Sequence, residues 1–412
     1  MFPSADLHSS LFFFGLLLAS VISFPLHELG HVLAGRLAGY RNAACGVGFP
    51  GPFFRFRLGG TSFYLGKPLL GGMTLPIWEG FPSARSLILF NAGGPLANLA
   101  LGGAALILWD AGLRSGFVSS AWYVSVVFFL WHILPFTFTA SGARFRSDGL
   151  LIAQAWRGTW RQWDQSGDQI AALKALRGFC RELDSLLGEV HYTLLLAWHE
   201  VKLFDVESAQ ETLRDECLLD PRRGLFGQML EAVVHAVIAV ETEPSNACVI
   251  IDGAKKVCSS DSAAQVILLL AHASAALNTG LPAASLAREA LAGAREIKDP
   301  LLETAAMALI IQADPPEDVF DVLDACREIL SFRGSRKATP LIALNLLCWV
   351  MKILAAKGHD NAVRVLFQEV FFRLTAIARR IPAGQQRERL VSRVSSWLQG
   401  ELKPNVAYPV AG

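Results

Sequence analysis

Charge is scarce in this sequence. Asp, Glu, Lys and Arg make up only 18% of its 412 residues, whereas a soluble globular chain carries about a quarter. The shortfall, with a positive mean hydropathy, argues against a chain wholly surrounded by water. No basic surplus exists either. The net charge is +1, so the electrostatic footprint of a nucleic-acid binder is missing and no nucleic-acid partner is expected. Paired cysteines are lacking as well. The seven cysteines, Cys45, Cys180, Cys217, Cys248, Cys258, Cys326 and Cys348, are scattered and odd in number, with no C-x-x-C. That fits free thiols in a reducing compartment better than a disulfide framework or a cysteine zinc site. Finally, no basic residue precedes the first apolar run, and no small-residue cleavage site follows it. The run therefore does not read as a cleaved signal peptide.

What is present is apolar and concentrated before about residue 140. Three runs, at about 9–30, 86–109 and 117–138, approach the ~20 residues that a helix needs to cross a bilayer core. Basic residues cluster after the first run (Arg36, Arg41, Arg55, Arg57, Lys67, Arg85) and after the third (Arg144, Arg146, Arg157, Arg161), with only Arg114 between the second and third. The positive-inside rule then puts the N-terminus outside and the C-terminus in the cytoplasm. Between the first two runs, at about 46–66, Phe54-Arg55-Phe56-Arg57-Leu58 alternates in character and Gly59-Gly60 marks a turn. Thr61 to Leu65 can return as a strand, which predicts a β-hairpin lying against the membrane.

From about 165 to 402 the pattern changes to helical spacing broken by Gly, Pro and Asp. Helix starts near Glu189, Val206, Arg222, Pro244, Ser260, Leu281, Pro300, Pro315 and Thr339 recur as pairs at roughly 33–40 residues, the range of helical-hairpin repeats. An α-solenoid loosely similar to tetratricopeptide repeats is expected, followed by a tail at 403–412. Ile342 to Leu354 is apolar but short, so it reads as a buried helix rather than a further span.

The chemistry lies in His27-Glu28-Leu29-Gly30-His31. H-E-x-x-H on a helix puts two imidazoles one turn apart on one face. His27 and His31 can bind one Zn²⁺, and Glu28 can act as general base toward a water beside it. Chance predicts roughly 0.02 such matches in a chain of this composition. Three ionisable residues at the end of a span are also costly unless they have a function. A catalytic zinc wants a third protein ligand from another element at the same membrane depth. Asp148, in Ser147-Asp148-Gly149, follows the third run on the same side. His132 is its rival and lies nearer the membrane. The second run opens with Asn91-Ala92-Gly93-Gly94-Pro95-Leu96-Ala97-Asn98, where small residues let helices approach closely. Asn91 and Asn98 could touch substrate or simply serve this packing.

Taken together, these segments resemble the site-2 protease family of intramembrane zinc metalloproteases. Pro25 to Tyr40 looks like the family's first active-site helix. Pro68 to Met73 is similar to its Pro-Leu-Gly-Gly-Tyr stretch, and Asn91 to Asn98 matches its Asn-x-x-Gly-Pro-x-x-Asn pattern. Leu134-Pro135 with Asp148-Gly149 resembles the segment that holds the third ligand. The resemblance covers residues up to about 155. It implies that Asp148 completes the site, that Asn98 helps to position substrate or hairpin, and that one Zn²⁺ is bound per chain. Two features depart from the family: His132 stands where an Asn is usual, and a long segment separates Leu134-Pro135 from Asp148.

The expectation is thus a mostly α chain. A three-span metalloprotease core with a membrane-associated hairpin occupies 1–160, and a cytoplasmic α-solenoid occupies 165–402. It would sit in the plasma membrane and cleave membrane-spanning proteins in or near their spans. The substrate strand would pair with the hairpin edge near Phe54 to Leu65, and the solenoid would recruit a partner or substrate tail. The alternative is an inactive membrane-anchored scaffold that works through its repeats.

Overall fold

The structure is a computed structural model. It describes residues 5–48, 51–67, 71–140, 143–157, 167–202, 205–219, 224–331 and 340–378, with scattered positions between 387 and 395. The Pro68 to Leu70 part of one motif, the boundary at 160–165 and the tail at 403–412 lie outside the described residues. The chain is mostly helical with a small sheet. It divides into two compact units, one holding residues 1–160 and 175–191, the other 161–174 and 192–412.

The first unit is built on three apolar helices, α1 (Ala5–Leu37), α2 (Ala84–Asp110) and α3 (Gly116–Ile133). Each is long and apolar enough to cross a membrane. Each expected span is therefore matched by a helix of sufficient length and apolarity, although α1 and α2 run past the expected ends and α3 stops short. Serine caps set two starts: Ser83 Oγ accepts from Ser86 N at α2, and Ser115 Oγ accepts from Val118 N at α3. Mutual packing buries Ala19, Ala105, Val118, Ala121 and Val124. Large apolar side chains such as Phe13, Leu17, Leu99, Ile107, Leu130 and Trp131 point outward and are exposed, as lipid-facing residues should be. Small residues bring α1 and α2 together. A Cβ on Gly30 would lie 2.7 Å from the Ala97 Cβ and would overlap the Gly93 carbonyl, the close approach that membrane helices use.

Four strands follow α1: β1 (Tyr40–Val47), β2 (Gly51–Leu58), β3 (Thr61–Lys67) and β4 (Gly72–Trp78). The hairpin is formed by β2 and β3, with Leu58 opposite Thr61. Gly59 and Gly60 have φ of 57° and 83°, which suits a two-residue turn with both central φ positive. The sheet is larger than the hairpin. Its order is β2-β3-β1-β4, with β1 parallel to β3 and antiparallel to β4. The free edges are therefore β2 and β4, while β3 is interior. After α3, a short hairpin of β5 (Thr137–Ala140) and β6 (Ala143–Arg146) leads into α4 (Asp148–Trp156).

The turn between α5 (Gly167–Glu182) and α6 (Leu186–Lys202) belongs to this first unit, and it touches all four strands of the sheet. Arg55 of β2 pairs with Asp184 at 2.7 Å and donates to the Glu182 carbonyl. Ser62 Oγ of β3 donates to Leu183 O at 3.4 Å, and Ser185 Oγ donates to Ala43 O of β1 at 3.1 Å. The Trp78 ring of β4 meets His191 edge-on at 5.4 Å. A Cβ on Gly188 would lie 2.7 Å from the Ala43 Cβ, so the helix backbone rests directly on the sheet.

Among its described residues the second unit is built of helices and turns, with no strand. It contains α7 (Val206–Thr212), α8 (Gly224–Thr242), α9 (Pro244–Val257), α10 (Ser262–Thr279), α11 (Ala284–Glu296), α12 (Pro300–Ala313), α13 (Val319–Ser331), α14 (Pro340–Ala356) and α15 (Asp360–Ala378). Most starts fall within about three residues of those read from Gly, Pro and Asp punctuation, and α7, α9 and α12 begin at the expected residue. Consecutive helices pack together from α8 to α12, and α10 also touches α8 and α12. One feature differs from expectation: α10 is a fourth helix long and apolar enough to span. Its Val266, Ile267, Leu268, Leu270 and Ala271 are buried within the unit, so its apolar surface is spent on neighbouring helices.

Candidate metal centre

His27, Glu28 and His31 lie on α1 where it crosses α2, and all three are buried. The i, i+4 spacing sets the two imidazoles side by side, with the Nε2 atoms 3.1 Å apart. Asp148, the first residue of α4, faces both. Its Oδ2 is 3.2 Å from His27 Nε2, and its Oδ1 is 3.5 Å from His31 Nε2. Local chemistry explains why this carboxylate arrives there. Ser147 caps α4 by accepting from Leu150 N. Its hydroxyl also donates to Leu134 O at 2.7 Å and accepts from Phe136 N at 3.0 Å. That pins the start of α4 to the end of α3. At Gly149 a Cβ would overlap the Ile133 carbonyl, so only glycine lets the Asp-Gly step sit this close. The long segment between Leu134-Pro135 and Asp148 is the β5–β6 hairpin, which folds out and returns.

The donor set fits a bound zinc. His31 Nδ1 lies 2.8 Å from the Phe90 carbonyl. A carbonyl only accepts, so Nδ1 carries the proton and a neutral His31 turns its Nε2 lone pair inward. That lone pair, His27 Nε2 and the Asp148 carboxylate converge within metal-binding distance, as N and O ligands of zinc do. Gly94 keeps the space beside them open. A Cβ there would lie 2.5 Å from His27 Nε2 and would overlap His31 Nε2.

The surrounding residues complete the picture. The Asn98 amide contacts His27 Nδ1 at 3.0 Å and Ser23 Oγ at 3.0 Å. Asn91 donates to Leu87 O in its own helix at 2.7 Å. His132, at the end of α3, stacks on His27 with centroids 3.9 Å apart. Its Nδ1 is 3.4 Å from Asp148 Oδ2, the oxygen that also faces His27, so it adjoins the His27–His31–Asp148 group. On the other side, Glu28 meets β4, where Thr74 Oγ1 donates to Glu28 Oε2 at 2.7 Å. Two participants, Ser23 and Thr74, gave no motif signal. Gly94 is the glycine of the Asn-x-x-Gly-Pro-x-x-Asn pattern, and Ser147 stood only as the residue before Asp148.

A membrane-embedded helical bundle with a His-His-Asp cluster and an adjoining glutamate is the architecture of an intramembrane metallohydrolase. The chain belongs to peptidase family M50, the site-2 protease family, whose pattern matches residues 13–335. It is 33% identical over 123 residues to a provisionally named zinc metalloprotease of Neisseria meningitidis serogroup A. That match takes in 26% of this chain and 27% of the relative, so the chain spans about a quarter of the relative's length. No solved structure matches the chain.

Proposed function

We propose that this chain is a zinc-dependent intramembrane endopeptidase that cuts membrane-anchored proteins in or near a transmembrane segment. The observation that carries the reading is the convergence of His27, His31 and Asp148 beside a buried Glu28. His27, His31 and Asp148 hold one zinc, which supplies Lewis acidity for water activation when bound. Phe90 O and Asn98 fix the two imidazoles from behind. In the structure Asn98 Oδ1 accepts from Ser23 Oγ and Asn98 Nδ2 faces His27 Nδ1. With Nε2 of His27 given to zinc, Nδ1 carries the proton, and the amide flips so that its oxygen accepts from His27 and its NH₂ donates to Ser23. His132 orients Asp148 rather than replacing it. Glu28 takes the proton of the attacking water and passes it to the leaving amine.

Substrate recognition follows from the sheet. An extended peptide adds to a free edge through main-chain hydrogen bonds. Thr74 and Gly72 of β4 are the strand residues seen against Glu28. The edge beside Glu28 is β4, and we assign the substrate strand to it. The helical second unit is a cytoplasmic repeat domain that recruits a protein partner or the substrate tail, with the core in the plasma membrane and the N-terminus outside. In this reading α10 is a buried repeat helix.

The test uses the purified full chain. Wild type should hold one zinc, and Asp148→Ala well under half. Glu28→Gln should keep its zinc and lose cleavage of a tagged single-span reporter by at least about 100-fold. Substantial residual cleavage by Glu28→Gln, or full zinc in Asp148→Ala, contradicts the assignment.

A further inference from the structure

The glutamate of an H-E-x-x-H site must present one carboxylate oxygen to water and must not swing away. Here that task falls to β4. Gly72 and Thr74 are two residues apart on one strand, so they share a face, and that face meets Glu28. A Cβ on Gly72 would lie 2.6 Å from both Cγ and Oε1 of Glu28, so glycine makes room for the carboxylate. Thr74 fixes it. Its hydroxyl is 2.7 Å from Glu28 Oε2 and 3.1 Å from the Glu28 main-chain carbonyl. A hydroxyl has one hydrogen; the shorter bond to the carboxylate takes it. Thr74 itself is buried and stands opposite Cys45 in the sheet. Tyr64 reaches across from β3, and its hydroxyl donates to Met73 O at 3.1 Å. The strand is thus held from its sheet side while β4 remains an edge.

We propose that Thr74 is the positioning residue of Glu28: it fixes Oε2, leaves Oε1 for the water, and ties the base to the strand on which substrate is laid. This rests on the assignment of Glu28 as general base. The same three residues, Gly72-Met73-Thr74, then serve backbone recognition and base alignment together. A peptide docked out of register disturbs both.

Thr74→Val keeps the shape and removes the donor, whereas Thr74→Ser keeps the donor. The probe is a fluorescent peptidyl hydroxamate, which chelates zinc and hydrogen-bonds to the base, followed by anisotropy on the full chain in detergent. A hydrogen bond to a buried ionised group supports a loss of about ten- to hundred-fold. Thr74→Val should weaken hydroxamate binding by that factor with zinc content unchanged, and Thr74→Ser should stay within about three-fold of wild type. With the reporter, Thr74→Val should lower kcat and leave KM nearly unchanged. Wild-type hydroxamate affinity in Thr74→Val overturns the proposal, as do a Thr74→Ser variant as weak as Thr74→Val and a Thr74→Val variant that loses zinc. Glu28→Gln, run in parallel, separates the two claims. If Glu28→Gln binds and cleaves like wild type, the base assignment itself fails. If Glu28→Gln is impaired and Thr74→Val is not, only the role of Thr74 falls.

Discussion

At the residue scale the site depends as much on missing atoms as on ligands. Gly94 has no side chain where a methyl would overlap His31 Nε2 and press on His27 Nε2. Gly94→Ala should therefore keep the helical fold, since alanine favours helix, yet bind zinc at least about ten-fold more weakly. Circular dichroism with a zinc titration checks both halves. Full zinc affinity in a folded Gly94→Ala would mean that the metal sits elsewhere. The H-E-x-x-H was legible in the sequence because its geometry is local: five consecutive residues on one helix fix it. The third ligand was less legible: both candidates, Asp148 and His132, lie more than a hundred residues from the motif, and only the family resemblance favoured Asp148. Ser147 and Gly149, a hydroxyl cap and an absent Cβ, bring the Asp148 carboxylate within reach of both Nε2 atoms.

At the scale of elements, the sheet and the α5–α6 turn form one device. The hairpin could be read from alternation and Gly59-Gly60. Strand β1 could not, because it is buried along almost its whole length and so lacks the alternation of a half-exposed strand. Strand β4 was hidden by Pro76 inside it, a residue that argues against a central strand and is tolerated at an edge. The docking of residues 179–191 left no signal either, since much of it runs through backbone carbonyls and small side chains. One titratable group reports on it. Burial pushes His191 down to about 3 from 6.5. Above pH 6.5 the imidazole is neutral whether docked or not, and no penalty applies. Below 6.5 only the undocked state takes the proton, so stability falls with pH until about 3. At pH 5 the loss is about 2 kcal/mol. Hydrogen exchange at β4, corrected for its intrinsic rate, should speed up on going from pH 7.5 to pH 5, and His191→Phe should flatten that difference. An equal pH response in both proteins would remove His191 from the account.

At the scale of the whole molecule, composition gave the membrane class and punctuation gave most helix starts, because both are summed over many residues. The count of apolar helices was less secure. Helix α10 is also long and apolar enough to span, and several of its apolar side chains are buried against neighbouring helices. The first unit joins three apolar helices, a His-His-Asp cluster and an edge strand beside a buried glutamate, the three features on which the proposed intramembrane proteolysis rests. The most direct test reconstitutes the full chain in liposomes with a single-span reporter and maps the product termini by mass spectrometry. The account expects a cut within or beside the membrane segment, lost with a zinc chelator, restored by added zinc and absent in Glu28→Gln. Cleavage that survives chelation, or that falls only in the reporter's soluble parts, would contradict it.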